Sequence, residues 1–98
     1  VSAEACRAYD AAIKQLAHDL DGQHAHGFLV ASNGAYAARE VRLAAALTDG
    51  PARQAFEDTA SRIQLIAEQG NAAPADVVTG DQAVRDAISS VDRMCRAG

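Results

Sequence analysis

The three histidines, His18, His24 and His26, stand within nine residues of one another, and Asp19 and Asp21 lie among them. Neutral imidazole ligates divalent transition metals and haem iron, and a carboxylate can complete such a site. The spacing works against this use, because His24 and His26 do not share a helical face as residues four apart would. Two readings stand side by side. One is a haem or divalent-metal site in this region, with Tyr9 or Tyr36 as a further haem ligand; the other, on which no cofactor is expected, is a set of solvated histidines in a polar turn.

Arg39, Arg42 and Arg53 form a second constellation, near a break between two helices. Guanidinium groups gathered there could hold a carboxylate or phosphate. The competing use is surface pairing with Glu40, Asp49 or Glu57. Tyr9 and Tyr36 read as edges of the core whose hydroxyls reach water. The chain carries no phosphate-cradling loop, no His-Glu-x-x-His and no nucleophile elbow, so an enzyme is not expected. A net charge of −4 without a basic stripe leaves nothing to displace counterions from a phosphate backbone, and nucleic acid is not an expected partner.

The two cysteines, Cys6 and Cys95, stand near opposite ends of a 98-residue chain. No Cys-x-x-Cys is present, so redox catalysis is disfavoured. A pair at mirrored positions is what a domain with one structural bridge shows, and such bridges persist in oxidising compartments. Whether the two can meet depends on the elements that carry them.

Those elements read as helices. Alanine fills 24 positions, and it enters a helix at no cost in side-chain entropy. In 2–20, Ala5, Cys6, Tyr9, Ala12, Ile13, Leu16 and Leu20 recur at three and four, with Ser2 as N-cap and Asp21-Gly22 as the stop. The stretch 23–34 is least legible. We draw a helix through 24–47, because a loop at Phe28-Leu29-Val30-Ala31 would expose apolar residues; the alternative is a short helical turn with a cap at Ser32 or Asn33. From 35 to 47 Ala38, Val41, Leu43, Ala44, Ala45 and Leu47 give a broad apolar face.

Thr48-Asp49-Gly50-Pro51 then breaks the chain, Gly50 ending one helix and Pro51 opening the next. The third helix, 51–69, turns Ala52, Phe56, Ala60, Ile63, Ile66 and Ala67 inward, with Leu65 at its margin. Residues 70–80 form a linker whose Val77-Val78 folds back onto the core edge, and Thr79 with Gln82 matches a capping box. The last helix carries Val84, Ala87, Ile88, Val91, Met94 and Cys95 on one face.

Four helices in an up-down order bring the start of the first and the end of the last to the same end of the molecule; three would not. An all-α, antiparallel up-down four-helix bundle closed by a Cys6–Cys95 disulfide is therefore the predicted fold, as one domain over 1–98. The free-thiol alternative would make both cysteines small buried apolar residues.

The opening Cys6-Arg7-Ala8-Tyr9 and closing cysteine, with Asn33-Gly34-Ala35-Tyr36-Ala37, Val41-Arg42-Leu43-Ala44-Ala45 and Leu47-Thr48-Asp49-Gly50-Pro51-Ala52-Arg53, resemble small exported or lipid-anchored helical proteins of actinobacteria. That resemblance implies a cell-envelope location and no established activity. An excess of arginine over lysine, eight to one, suits a GC-rich genome. The cysteine frame alone is also similar to mycobacterial haemophore-like proteins, which implies haem carriage; their His-Pro and Asn-Pro motifs have no counterpart here.

The expectation is thus an exported, non-enzymatic binding or interaction module, its partner a protein or small ligand. The alternative is a secreted haem or metal carrier using His18, His24 and His26. A start at Val1 is the pattern of a processed chain, and membrane attachment would come only through an N-terminal anchor before it.

Overall fold

The computed structural model describes residues 2–24, 28–68, 72–74 and 82–97, with side chains over 2–19, 33–68 and 82–97. Among the described residues four helices pack as an antiparallel up-down bundle: α1 (Ala3–His24), α2 (Ala31–Ala45), α3 (Gly50–Ala67) and α4 (Gln82–Ala97). Helices adjacent in sequence are the ones that pack, α1 on α2, α2 on α3 and α3 on α4. The four-residue connection between Ala45 and Gly50 makes α2 and α3 antiparallel neighbours.

Each helix buries the stripe that its sequence spacing marks out. Ala5, Tyr9, Ala12 and Leu16 of α1 meet Ala37, Ala38, Val41, Ala44 and Ala45 of α2 in one core, with Phe56, Ala60, Ile63 and Ile66 of α3 and Val84 and Val91 of α4. The alanines of α2 let backbones approach closely, and among the described residues Val41 is the one larger side chain that α2 adds to this core. Ser2 caps α1 as expected, its Oγ accepting from the Ala5 N–H at 3.3 Å.

Thr59 is buried although polar, and its hydroxyl donates to the Ala55 carbonyl at 2.9 Å one turn earlier. That local bond removes the cost of an unmet hydroxyl in the core. Gly50 does not end α2, which stops at Ala45, but opens α3 after Asp49; it takes φ 63°, a left-handed conformation that L side chains resist, and Pro51 follows in the first turn.

Three readings of the sequence are corrected. Asp21-Gly22 does not stop α1, which runs on to His24. The helix drawn through 24–47 is divided, since Phe28–Val30 is a strand and α2 begins at Ala31. Phe28, Leu29 and Val30 pair antiparallel with Pro74, Ala73 and Ala72, so the apolar run finds its backbone partners in a ladder instead of a helix. Pro74 lies at the first pair of that ladder, in a two-stranded sheet where both strands are edges and a missing N–H is tolerated.

The third correction concerns the apolar face drawn over 35–47: Leu43 of α2 and Leu47 in the turn after it are exposed, as is Leu65 at the margin of α3. The Val77-Val78 contact and the Thr79 cap lie outside the described residues.

The bundle is closed between α1 and α4 by the Cys6–Cys95 disulfide, whose Cα atoms are 5.8 Å apart across 89 residues of sequence. Beyond that bond the backbones of α1 and α4 hardly approach each other. No described helix is long and apolar enough to cross a membrane.

Candidate functional site

The open side of the bundle carries the candidate site. Cys6, Arg7, Tyr9 and Asp10 of α1 and Asp92, Cys95 and Arg96 of α4 line a cleft of about 360 Å³ around the disulfide. Helical spacing gathers them. Tyr9 and Asp10 lie three and four residues after Cys6, and Asp92 lies three before Cys95, so each set shares a face with its cysteine. Once the sulfurs are joined, the two faces must look at each other.

Tyr9 forms the apolar wall of this cleft and is 2% exposed. Its ring packs on Phe56, with centroids 5.2 Å apart and planes at 41°. The expectation that its hydroxyl reaches water is overturned: Tyr9 Oη is buried and has no hydrogen-bond partner among the described residues. Such an atom costs about 1–3 kcal/mol relative to a satisfied one, and native folds rarely keep it without a use.

Burial pushes the Tyr9 phenol well above its ordinary range, and the nearby carboxylates of Asp92 and then Asp10 add to the shift. The group is therefore a neutral O–H across physiological pH, sitting in a negative potential.

Four charged side chains surround the cleft, two of each sign. Asp10 is paired with the exposed Lys14 at 2.9 Å. Arg7, Asp92 and Arg96 make no ion pair with any described residue. Opposite charges stand around an apolar floor without neutralising one another, an arrangement able to orient a small polar molecule.

The residues singled out from sequence lie elsewhere. His18 is on the surface of α1, its Nδ1 3.8 Å from Asp19 Oδ1. His24 ends α1 with its side chain outside the described residues, and all of His26 lies outside them. Among the described residues no group of three His, Cys, Asp or Glu side chains could hold a metal ion.

The arginines are not gathered into one anion site. Arg42 donates to the Gln64 side chain, whereas Arg53 pairs with Glu57 at 3.2 Å on the opposite stretch of α3. Positions 53 and 64 are about 16 Å apart along a helix. Arg39 is exposed with no ion pair among the described residues. Tyr36, expected at a core edge, is 52% exposed and stands apart from the cleft.

Arg7, Asp10, Asp92 and Arg96 were not legible as a site, for none belongs to a motif. The signal was the disulfide itself, which decides what faces what. Compared with known protein families, curated proteins and solved structures, this chain finds no match.

Proposed function

We propose that this chain is an exported, non-enzymatic binding module whose ligand site is the cleft between α1 and α4. The observation that carries the reading is Tyr9, which lines that cleft and whose buried hydroxyl has no partner among the described residues. A cleft of about 360 Å³ suits a small molecule, since ligand pockets begin near roughly 300 Å³. Support for an oxidising, extracytoplasmic setting comes from the disulfide, a bond that reducing compartments do not keep. Binding is favoured over catalysis by the chemistry of the phenol. Held neutral by burial and two carboxylates, it donates a hydrogen bond well but is neither base nor nucleophile at neutral pH.

The test is a screen of small polar and apolar fragments by two-dimensional amide NMR on the oxidised protein. The expected result is that binders shift amides within 6–10 and 92–96 as one cluster. Binders that shift other surfaces only, or a screen with no binder, would remove the cleft as the site.

A further inference from the structure

The cleft offers a ligand more than one kind of handle. The cleft is small, and Tyr9 and the disulfide supply the apolar part of its lining. Among the described residues Asp92 lines it without a cationic partner, while Arg7 and Arg96 line it without an anionic one. Asp92 and Arg96 are four residues apart on α4, the spacing at which a helix can close its own ion pair, yet they stay separate. The lining therefore sums to zero charge with both signs still available. A purely cationic guest would leave the guanidinium groups unmet and add positive charge beside them. A purely anionic guest would face Asp92 and Asp10. Only a molecule bearing both charges is complementary to the whole wall.

The buried hydroxyl gives the orientation. Both carboxylates that act on the Tyr9 phenol, Asp92 and Asp10, line this cleft, so the phenol stands in their field. A phenolic oxygen there can accept one hydrogen bond from an ammonium group while its own O–H donates to a carboxylate. From this geometry we infer that the cleft takes a small zwitterion with a compact apolar body, of the amino-acid or short-peptide class. Its ammonium group sits by Tyr9 Oη and Asp92, and its carboxylate sits on Arg7 and Arg96. The hydroxyl is buried in the unliganded cleft, so taking up this guest includes a parting of the side chains that cover it.

This inference rests on the cleft being the binding site, and the experiment separates the two. Three probes with the same isobutyl body are titrated into the oxidised protein and followed by amide NMR: L-leucine, isoamylamine and 4-methylpentanoate. L-leucine is expected to shift the amides of 6–10 and 92–96, and the two singly charged probes to bind about tenfold more weakly, the loss expected for one charge-assisted hydrogen bond. Asp92→Asn is expected to weaken L-leucine and the amine but not the acid. Arg96→Gln is expected to weaken L-leucine and the acid but not the amine. Tyr9→Phe, which keeps the ring and the fold, is expected to weaken L-leucine.

Equal binding of all three probes at these amides would overturn the zwitterion while leaving the cleft as a ligand site. Shifts from none of them would overturn it too, and if neutral apolar fragments also left those amides unmoved, the binding reading would fall with it.

Discussion

The Tyr9 ring rests against Phe56 with centroids 5.2 Å apart, while its hydroxyl, buried at the far end of the same side chain, meets no hydrogen-bonding group among the described residues. One residue thus helps hold the core and also carries a local defect. The ring contributes apolar burial and an aromatic contact, which together outweigh the unmet hydroxyl. The two ends can be separated by substitution.

Removing only the hydroxyl, with Tyr9→Phe, is expected to raise stability by about 1 kcal/mol, because the atom lost is one whose desolvation nothing offsets. For a domain of this size that corresponds to a melting temperature higher by roughly 4–8 °C. Thermal and urea unfolding by circular dichroism measures it. A fall in stability instead would mean that the hydroxyl has a partner in the folded chain. Taken with the expected loss of L-leucine binding, the variant would be more stable and less functional, the trade expected at a binding site.

Phe56 is the opposite case, being fully buried with nothing polar to satisfy. Truncation to alanine is expected to cost about 3–5 kcal/mol, out of a total of about 5–15 for an ordinary domain. Phe56→Leu keeps most of the volume and should cost much less. A urea midpoint for Phe56→Ala equal to that of the parent would contradict the packing described.

The raised phenol fixes a pH dependence. The folded chain holds the Tyr9 proton more tightly than the unfolded chain, so this contribution is complete below the ordinary phenol range near pH 10. Above it the unfolded state loses the proton first, and stability falls as pH rises, by up to about 1.4 kcal/mol per pH unit. Urea midpoints taken on either side of about pH 10 should therefore drop more steeply for the parent than for Tyr9→Phe. Parallel curves would show that Tyr9 ionises freely in the folded protein.

The disulfide ties the start of α1 to the end of α4, so its loss should be felt both globally and locally. Joining residues 89 apart is worth about 4.6 kcal/mol through the unfolded chain, a model-dependent figure. Reduction, or replacement of Cys6 and Cys95 by alanine, is expected to lower the urea midpoint accordingly. Amide protection should weaken first at the start of α1 and the end of α4, while α2 and α3 keep theirs. An unchanged midpoint in reductant would mean that α1 and α4 hold together without the covalent bond.

How much of this was legible in sequence follows from what periodicity can encode. Ala5, Tyr9, Ala12 and Leu16, or Phe56, Ala60, Ile63 and Ile66, repeat at helical spacing and are buried as that spacing says. The same reasoning placed Leu43 and Leu47 inside, and they are exposed. In a helix so rich in alanine, several faces look apolar, and the neighbours choose the one with the smallest side chains. Phe28–Val30 is too short to show a period, and its partner lies at Ala72–Pro74, beyond two intervening helices. Gly22 marks a possible helix end, but a glycine costs only about 1 kcal/mol inside a helix, which neighbouring residues can offset. The disulfide was legible because helix parity decides it. Arg7, Asp10, Asp92 and Arg96 were not, since their meaning lies in what the bond sets opposite them.

Gly50 tests the local reading most directly. Its φ of 63° is the one left-handed backbone among the described residues, and a Cβ built on it meets nothing within 4 Å. Space is therefore not the constraint, and the cost of a side chain there is purely that of the backbone conformation. Gly50→Ala is expected to lose about 1 kcal/mol, and Gly50→Asn less, because asparagine tolerates the left-handed region where alanine does not. Equal effects of the two substitutions in urea unfolding would mean that the turn relaxes to another conformation. A large loss from both would mean that the close packing of α2 on α3 depends on this residue in a way the open space around it does not show.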